Sequence, residues 1–501
     1  MEIGKTKSLC PKCLKTIDAV VEERDNKVII KKTCKEHGDF EDLYYGDAKV
    51  FKRFLKDKYD NTGLGNPNTV SKDNCPHDCG LCNNHKSPTV LGIIDVTNRC
   101  NQRCPVCFAN AEACGYVYEP SLDQLEKMLR NLINEKPVGC KAVMFSGGEP
   151  TMRDDLPDII RMAKQMGFLQ VLIATNGINI SKDPKYIGVL KDAGLDTVYL
   201  QFDGVTEEPY YTIRGFNALP IKLKVIENCR QMNFKQIILV PTLIGGVNDK
   251  EAGDIVKFAI KNADVVSGVN FQPLSFAGRV TDKDRKRMRI TQPDLMHLLE
   301  KQTEGQIGPD DFHSITSVVP LSLFLEKLQN EPMAKFSAHP ACGSATYIYV
   351  EDGKIIPITR FVDADGFFNL IKQIYKEKEK NHSVWKIKAM AKFMKEIPKL
   401  VDKSKMPKSI NVVKLAINFL KGDAKALGEF AEKSMLIGAM HFMDVYNFDC
   451  QRVQRCVIHY STPDDRVIPF CSYNAIHRPI VEKKFSKPLN TQSKSNKNDK
   501  I

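Results

Sequence analysis

From about residue 88 to 275, short apolar runs alternate with segments whose apolar residues recur every three or four positions. Six runs read as strands: Val90–Val96, Ala142–Phe145, Val171–Ala174, Thr197–Phe202, Ile237–Leu243 and Val265–Phe271. Each of the first five is followed by a helical pattern, as in Leu122–Ile133 and Pro184–Ala193. Apolar strands separated by amphipathic helices predict an α/β unit, a parallel sheet under outer helices. Six repeats with ligand-type groups at the strand C-termini predict a partial, open (β/α)6 barrel over 88–282.

The flanking segments follow other patterns. Residues 1–70 are β-rich, with Val28, Ile29 and Ile30 lying between two cysteine turns. Residues 71–87 hold a further cysteine triplet. Residues 283–480 read as mostly helical: Trp385, Ala389, Phe393 and Ile397 recur every four positions, with Lys386, Lys388, Lys392 and Lys395 between them. Val412, Leu415, Ala416, Phe419 and Leu420 repeat the pattern beside Lys414 and Lys421. Such helices carry one apolar and one cationic face. The Ser/Asn/Lys-rich end, 481–501, is expected to be a disordered tail.

Composition narrows the class. Of 501 residues 42% are hydrophobic and 27% charged, which excludes wholesale disorder. No apolar run of spanning length and no signal-type start is present, so a cytoplasmic location is expected. The net charge of +12 is concentrated in 372–421, with 14 Lys against 4 acids, and in 483–501, with 6 Lys against 1. A negatively charged partner is therefore expected to meet those segments. Sixteen cysteines without a secretory context read as metal or iron–sulfur ligands rather than as disulfides.

Four soft donors arise from Cys10 and Cys13 facing Cys34 and His37, which predicts a ribbon or rubredoxin-like knuckle holding one zinc or mononuclear iron. Directly after the first strand, Cys100, Cys104 and Cys107 stand at a CxxxCxxC spacing. Three thiolates so spaced can wrap three irons of a 4Fe–4S cubane and leave the fourth iron open. The second strand then ends in Gly147, Gly148, Glu149 and Pro150.

On these motifs, 88–275 resembles the radical S-adenosylmethionine (SAM) superfamily. The resemblance implies that an electron from the cluster cleaves SAM to a 5′-deoxyadenosyl radical. It places Gly147, Gly148 and Glu149 at the methionine amino group. Thr175 and Asn176 end the third strand in the family's manner, Gln201 and Asp203 take ribose or carboxylate contacts, and Thr242 belongs to an adenine-packing segment. Val106 stands where many members carry an aromatic residue, and Phe108 is the neighbouring substitute. Arg214 reads equally as a contact to the SAM carboxylate or as a surface ion pair.

A second triplet, Cys75, Cys79 and Cys82, predicts another 4Fe–4S cluster, with Cys114 as candidate fourth ligand. Cys342, Cys450, Cys456 and Cys471 form a set of four for a third cluster, the second auxiliary one. Cys140 and Cys229 read as buried thiols, and His77 and His85 as loop residues.

For the substrate, the layout resembles the archaeal tetraether lipid synthases. That implies C–C joining of terminal methyl carbons in archaeol-type phospholipids, a peripheral membrane surface as partner, and a low-potential electron donor. The alternative is a radical SAM methylase of a small heterocycle such as a reduced pterin. A lysine-only basic segment is poor for base readout, so no nucleic-acid partner is expected. A non-enzymatic electron carrier would not need an open cluster.

Overall fold

The computed structural model describes residues 1–72, 74–112, 114–280, 283–411, 413–416 and 434–488. The chain opens with an antiparallel ribbon of β1 (Glu2–Leu9), β2 (Thr16–Arg24), β3 (Lys27–Cys34) and β4 (Gly38–Tyr45). Alternation along β3 buries Val28, Ile30, Lys32 and Cys34 on one face. The buried Lys32 ammonium donates to Ser8 Oγ at 3.0 Å and to the Val445 carbonyl at 2.7 Å. Ser8 Oγ in turn donates to the Phe448 carbonyl, and Tyr44 Oη to Asp449, so the ribbon is fastened to the far end of the chain.

Next come β5 (Leu91–Thr97), β6 (Tyr116–Tyr118), β7 (Ala142–Gly147), β8 (Gln170–Thr175), β9 (Thr197–Gln201), β10 (Ile237–Val240), β11 (Thr242–Leu243) and β12 (Val266–Pro273). The later strands are β13 (His313–Ser314), β14 (Gly343–Glu351), β15 (Lys354–Pro357), β16 (Met435–Met440), β17 (Ile458–Ser461), β18 (Val467–Pro469) and β19 (Ser486–Pro488). One sheet runs in the order β13-β14-β16-β12-β10-β9-β8-β7-β5-β17-β18. From β16 through β17 every neighbouring pair is parallel.

Crossover helices make that order possible, because parallel neighbours need a covered return path. Leu122–Ile133 is typical. Ser121 and Gln124 form a capping box at its start, and Leu125, Met128, Leu129 and Leu132 press on the sheet. Five of the six strands read from the apolar runs occupy those runs. The remaining run, Ile237–Leu243, divides at Pro241 into β10 and β11, because proline has no N–H for the ladder.

The C-terminal third departs from the helical expectation. Residues 283–480 do carry helices, but β16 and β17 leave that segment to extend both edges of the central sheet. These short strands, Met435–Met440 and Ile458–Ser461, satisfy edge hydrogen bonds that β12 and β5 would otherwise expose. The expected tail starts too early as well. Arg478–Lys484 is a helix, and β19 pairs with β6, supported by Tyr116 Oη donating to Glu482 at 3.2 Å. Residues 489–501 lie outside the described residues.

The apolar face of the amphipathic insertion is covered by the chain itself. Trp385, Ala389, Phe393 and Ile397 are buried in a satellite core with Phe324, Leu370, Ile371 and Ile374. On the cationic face, Lys388, Lys392, Lys399 and Lys405 pair with Glu379, Glu377, Glu396 and Asp402. Of the second amphipathic stretch, Val412, Phe419, Leu420 and Lys421 lie outside the described residues. Among the described residues no helix is long and apolar enough to cross a membrane.

Candidate active site

The C-terminal ends of the central strands open onto one cavity of about 480 Å³. After β5 the cysteine loop brings Cys100, Cys104, Val106, Cys107 and Phe108 to its wall. Gly147, Gly148 and Glu149 follow from β7, Thr175 and Asn176 from β8, Gln201 from β9, and Thr242 from β11. The rest of the lining is mostly apolar, with Met144, Val240, Leu274, Met440 and Phe470.

The glycine pair seats the cysteine loop. Gly148 N–H donates to the Thr97 carbonyl at 2.7 Å and Glu149 N–H to the Arg99 carbonyl at 2.9 Å. Gly147 has φ of +127°, and a Cβ on either glycine would collide with those same carbonyl oxygens. The motif at the end of β7 is thus a backbone splint for the loop after β5.

Glu149 is buried at 1% exposure. Its Oε1 accepts from Thr151 Oγ1 at 2.6 Å, Thr175 Oγ1 at 2.7 Å and Thr151 N–H, while Oε2 accepts only from Asn176 N–H at 2.7 Å. Burial raises its pKa against these donors. The less occupied Oε2 leaves acceptor capacity for a cationic donor in the cavity.

Arg214 is no surface pair. Its side chain is 10% exposed, and it grips the fully buried Asp203 through Nε at 2.7 Å and Nη2 at 2.9 Å. Nη2 also donates to Thr242 Oγ1. Asp203 stands buried behind the wall, where it accepts from Arg214, Gln201 and the Thr242 N–H. Burial pushes the Cys100 thiol up to about 12 and raises Cys104 too.

Lys222, on the helix Leu219–Gln231, was not legible as a site residue among that helix's several lysines. It is fully buried, donates to the Asn176 carbonyl and lies 3.3 Å from Gln201 Oε1. Burial lowers its pKa to about 8. It braces two cavity residues from behind.

At the N-terminal ribbon, Cys10, Cys13, Cys34 and His37 bring all four ligand atoms within 4.8 Å of one another. His37 Nδ1 is 3.7 Å from Cys10 Sγ and 3.5 Å from Cys34 Sγ, and Cys13 Sγ is 4.0 Å from Cys34 Sγ. Tetrahedral zinc with bonds of about 2.3 Å to sulfur requires S–S edges of roughly 3.8 Å, so this set fits one ion.

The remaining cysteines regroup. Cys450 Sγ lies 4.0 Å from the Cys75 carbonyl oxygen, and the neighbouring Cys450 thiol lowers the Cys75 pKa. Cys79 and Cys82 lie in the same electrostatic neighbourhood. Of Cys450 and Cys114, Cys450 is the one that lies beside the triplet. Cys114 Sγ donates instead to the Asn110 carbonyl at 3.2 Å, beside Tyr116. Cys342, Cys456 and Cys471 remain together without Cys450. Cys140 and Cys229 are buried thiols in the core. His77 and His85 contact the Leu14 and Cys456 carbonyls.

A model of the radical SAM superfamily matches residues 94–259, and one of the HMPTM N-terminal zinc ribbon domain matches residues 2–46. The 7,8-dihydro-6-hydroxymethylpterin dimethyltransferase of Methanocaldococcus jannaschii is 53% identical over 492 residues, 97% of this chain and 96% of that protein. The chain belongs to the radical SAM superfamily. Its α/β core carries that superfamily's fold, and its N-terminal site is a zinc ribbon. A more distant relative is the GTP 3′,8-cyclase of Clostridium acetobutylicum, 28% identical over 40% of this chain and 64% of that one. Streptococcus suis SuiB bound to S-adenosylmethionine aligns with a TM-score of 0.35 and 17% identity, covering 44% of this chain and 48% of that chain.

The expectation of an archaeol-type phospholipid substrate and a membrane-surface partner is corrected by the first of these relatives, whose name specifies a pterin. The chain itself supplies a physical reason for misreading. An amphipathic helix with a lysine face looks alike in sequence whether it lines a lipid passage or, as here, closes a satellite core.

Proposed function

We propose that the chain is a radical SAM methyltransferase acting on a reduced, hydroxymethyl-bearing pterin. The observation that carries this reading is the end-to-end 53% identity with a pterin dimethyltransferase. Cys100, Cys104 and Cys107 would hold the SAM-binding 4Fe–4S cluster. When bound, that cluster with SAM supplies a deoxyadenosyl radical able to remove hydrogen from carbon.

The chain's own residues position and insulate. Glu149 Oε2 would take the methionine ammonium, because its other oxygen is already saturated by Thr151 and Thr175. Thr242 and Gln201 would face the nucleoside, and Phe108 and Val106 would pack near it from the cysteine loop. Lys222 holds the Asn176 carbonyl and Gln201 in register. Asn270, Gln272, Ser344 and Asn474 also line the cavity and supply polar contacts for a heterocycle within an apolar wall. That wall excludes water, which limits side reactions.

Cys75, Cys79, Cys82 and Cys450 would hold one auxiliary 4Fe–4S cluster. Cys342, Cys456 and Cys471 would hold another, and a low-potential reductant would feed them.

Anaerobically reconstituted protein, SAM, dithionite and 7,8-dihydro-6-hydroxymethylpterin deuterated at its ring carbons provide the test. Pterin-dependent 5′-deoxyadenosine carrying substrate deuterium is the expected result. Cleavage that ignores the pterin and transfers no deuterium would overturn the reading.

A further inference from the structure

The three cysteines left in the C-terminal third have buried, unpartnered groups around them. Cys342 Sγ accepts from Arg452 Nε at 3.4 Å, and Cys471 Sγ accepts from Met443 N–H at 3.2 Å. Cys456 Sγ lies 3.0 Å from the Ile458 carbonyl. Cys450 Sγ lies against the Cys75 carbonyl at 4.0 Å, which leaves this set without a fourth thiol.

His441 stands beside it. Its N–H donates to the Cys342 carbonyl at 2.9 Å, extending the β14–β16 ladder one pair beyond Gly343 and Met440. Directly opposed residues of an antiparallel pair project from the same face, so the Cys342 and His441 side chains share one side of the sheet. Arg452 bridges the two: Nε reaches the Cys342 sulfur, and Nη2 donates to the His441 carbonyl at 2.6 Å.

Both ring nitrogens of His441 and Nη1 of Arg452 are buried without a hydrogen-bond partner among the described residues. His441 is 1% exposed. A buried imidazole with neither nitrogen engaged is costly, and buried polar groups as a rule find partners. Three thiols, an imidazole and a guanidinium donor form a coherent environment for an anionic, sulfur-rich metal centre.

We propose that His441 is the fourth, nitrogen ligand of an iron–sulfur cluster held by Cys342, Cys456 and Cys471, with Arg452 donating to the Cys342 thiolate. The assignment rests on the reading that these three thiols hold a cluster. An imidazole in place of a thiolate removes one negative charge from the centre, so it accepts an electron at a higher potential than an all-thiolate cluster. The site then stands as an electron acceptor relative to the Cys75/Cys79/Cys82/Cys450 site.

The test uses full-length protein labelled with 15N-histidine, loaded with zinc and reconstituted with iron and sulfide. It is reduced without SAM and examined by pulsed nitrogen-hyperfine spectroscopy. Zinc is diamagnetic, so His37 gives no signal. A strongly coupled histidine nitrogen is expected in the wild type and lost in His441→Gln. His441→Cys is expected to keep its iron, lose the coupling and show a lower midpoint potential. Absence of the coupling in the wild type, or its persistence in His441→Gln, overturns the inference. Iron content of Cys342→Ala separates the two levels. Unchanged iron would sink the cluster reading itself, whereas iron loss without nitrogen coupling would sink only the ligand assignment.

Discussion

Cys75 and Cys450 stand 375 residues apart in sequence, yet Cys450 Sγ lies 4.0 Å from the Cys75 carbonyl oxygen. This contact ties the segment before β5 to the connection between β16 and β17, and it sets Cys450 apart from Cys342, Cys456 and Cys471.

Cys450→Ala should therefore remove the iron of the triplet site, whereas Cys114→Ala should retain it. Iron and sulfide content of the purified, reconstituted variants reads the difference. Equal loss in both would restore Cys114 to the ligand set.

Cys100→Ala should abolish SAM cleavage while leaving the fold intact, because the thiol supplies a cluster ligand and only minor packing. Formation of 5′-deoxyadenosine is expected to drop at least ~1,000-fold, a barrier change of about 4 kcal/mol. Circular dichroism and zinc content should match the wild type.

Replacing Cys13 by Ser should release zinc from the ribbon. Structural zinc sites contribute folding free energy directly, and the ribbon is anchored to the body through Ser8 and Tyr44. The expected outcome is loss of one zinc per chain and a Tm lower by at least several degrees. An unchanged Tm would mean that the anchors hold the ribbon without the metal.

Lys222 carries a pH signature. Its folded pKa is lowered to about 8 by burial, whereas an unfolded lysine titrates near 10.4. Between those values the unfolded chain holds a proton that the folded chain has released, so stability rises with pH across that window, by about 3 kcal/mol for this group. Below pH 8 the burial cost is fully present. Denaturation of wild type and Lys222→Met at pH 7.5 and 10.5 should show this dependence only in the wild type. The same variant should raise KM for SAM roughly tenfold, equivalent to about 1.4 kcal/mol, because the Asn176 carbonyl and Gln201 lose their brace.

Trp385→Ala should destabilise the protein by about 3–5 kcal/mol, the usual cost of emptying a large aromatic site, since Trp385 is 2% exposed within the satellite core. Replacing Lys386 and Lys395 by Gln should leave 5′-deoxyadenosine formation unchanged. A loss of pterin-dependent cleavage in the lysine variants would give the cationic face a functional role.

Features carried by local spacing were legible in the sequence. The ribbon ligands Cys10, Cys13, Cys34 and His37 sit on two short turns of one hairpin system, and the loop of Cys100, Cys104 and Cys107 follows its strand directly. The core strands announced themselves because a strand buried on both faces must be apolar throughout. The superfamily followed from those motifs, because their chemistry depends on residues only a few positions apart.

Tertiary structure alone decided what distant segments share. Nothing near Cys450 in sequence points to Cys75, and nothing in Met435–Met440 or Ile458–Ser461 shows which sheet edge each one covers. Arg214 looked equally fit for the surface until the end of β9 placed the buried Asp203 against it. The apolar face of Trp385–Ile397 said only that something covers it; packing chose Phe324 and Ile371 of the chain itself. Periodicity records that a face is buried and spacing records that donors can converge, but the partner is set by which segments the folded chain brings into contact.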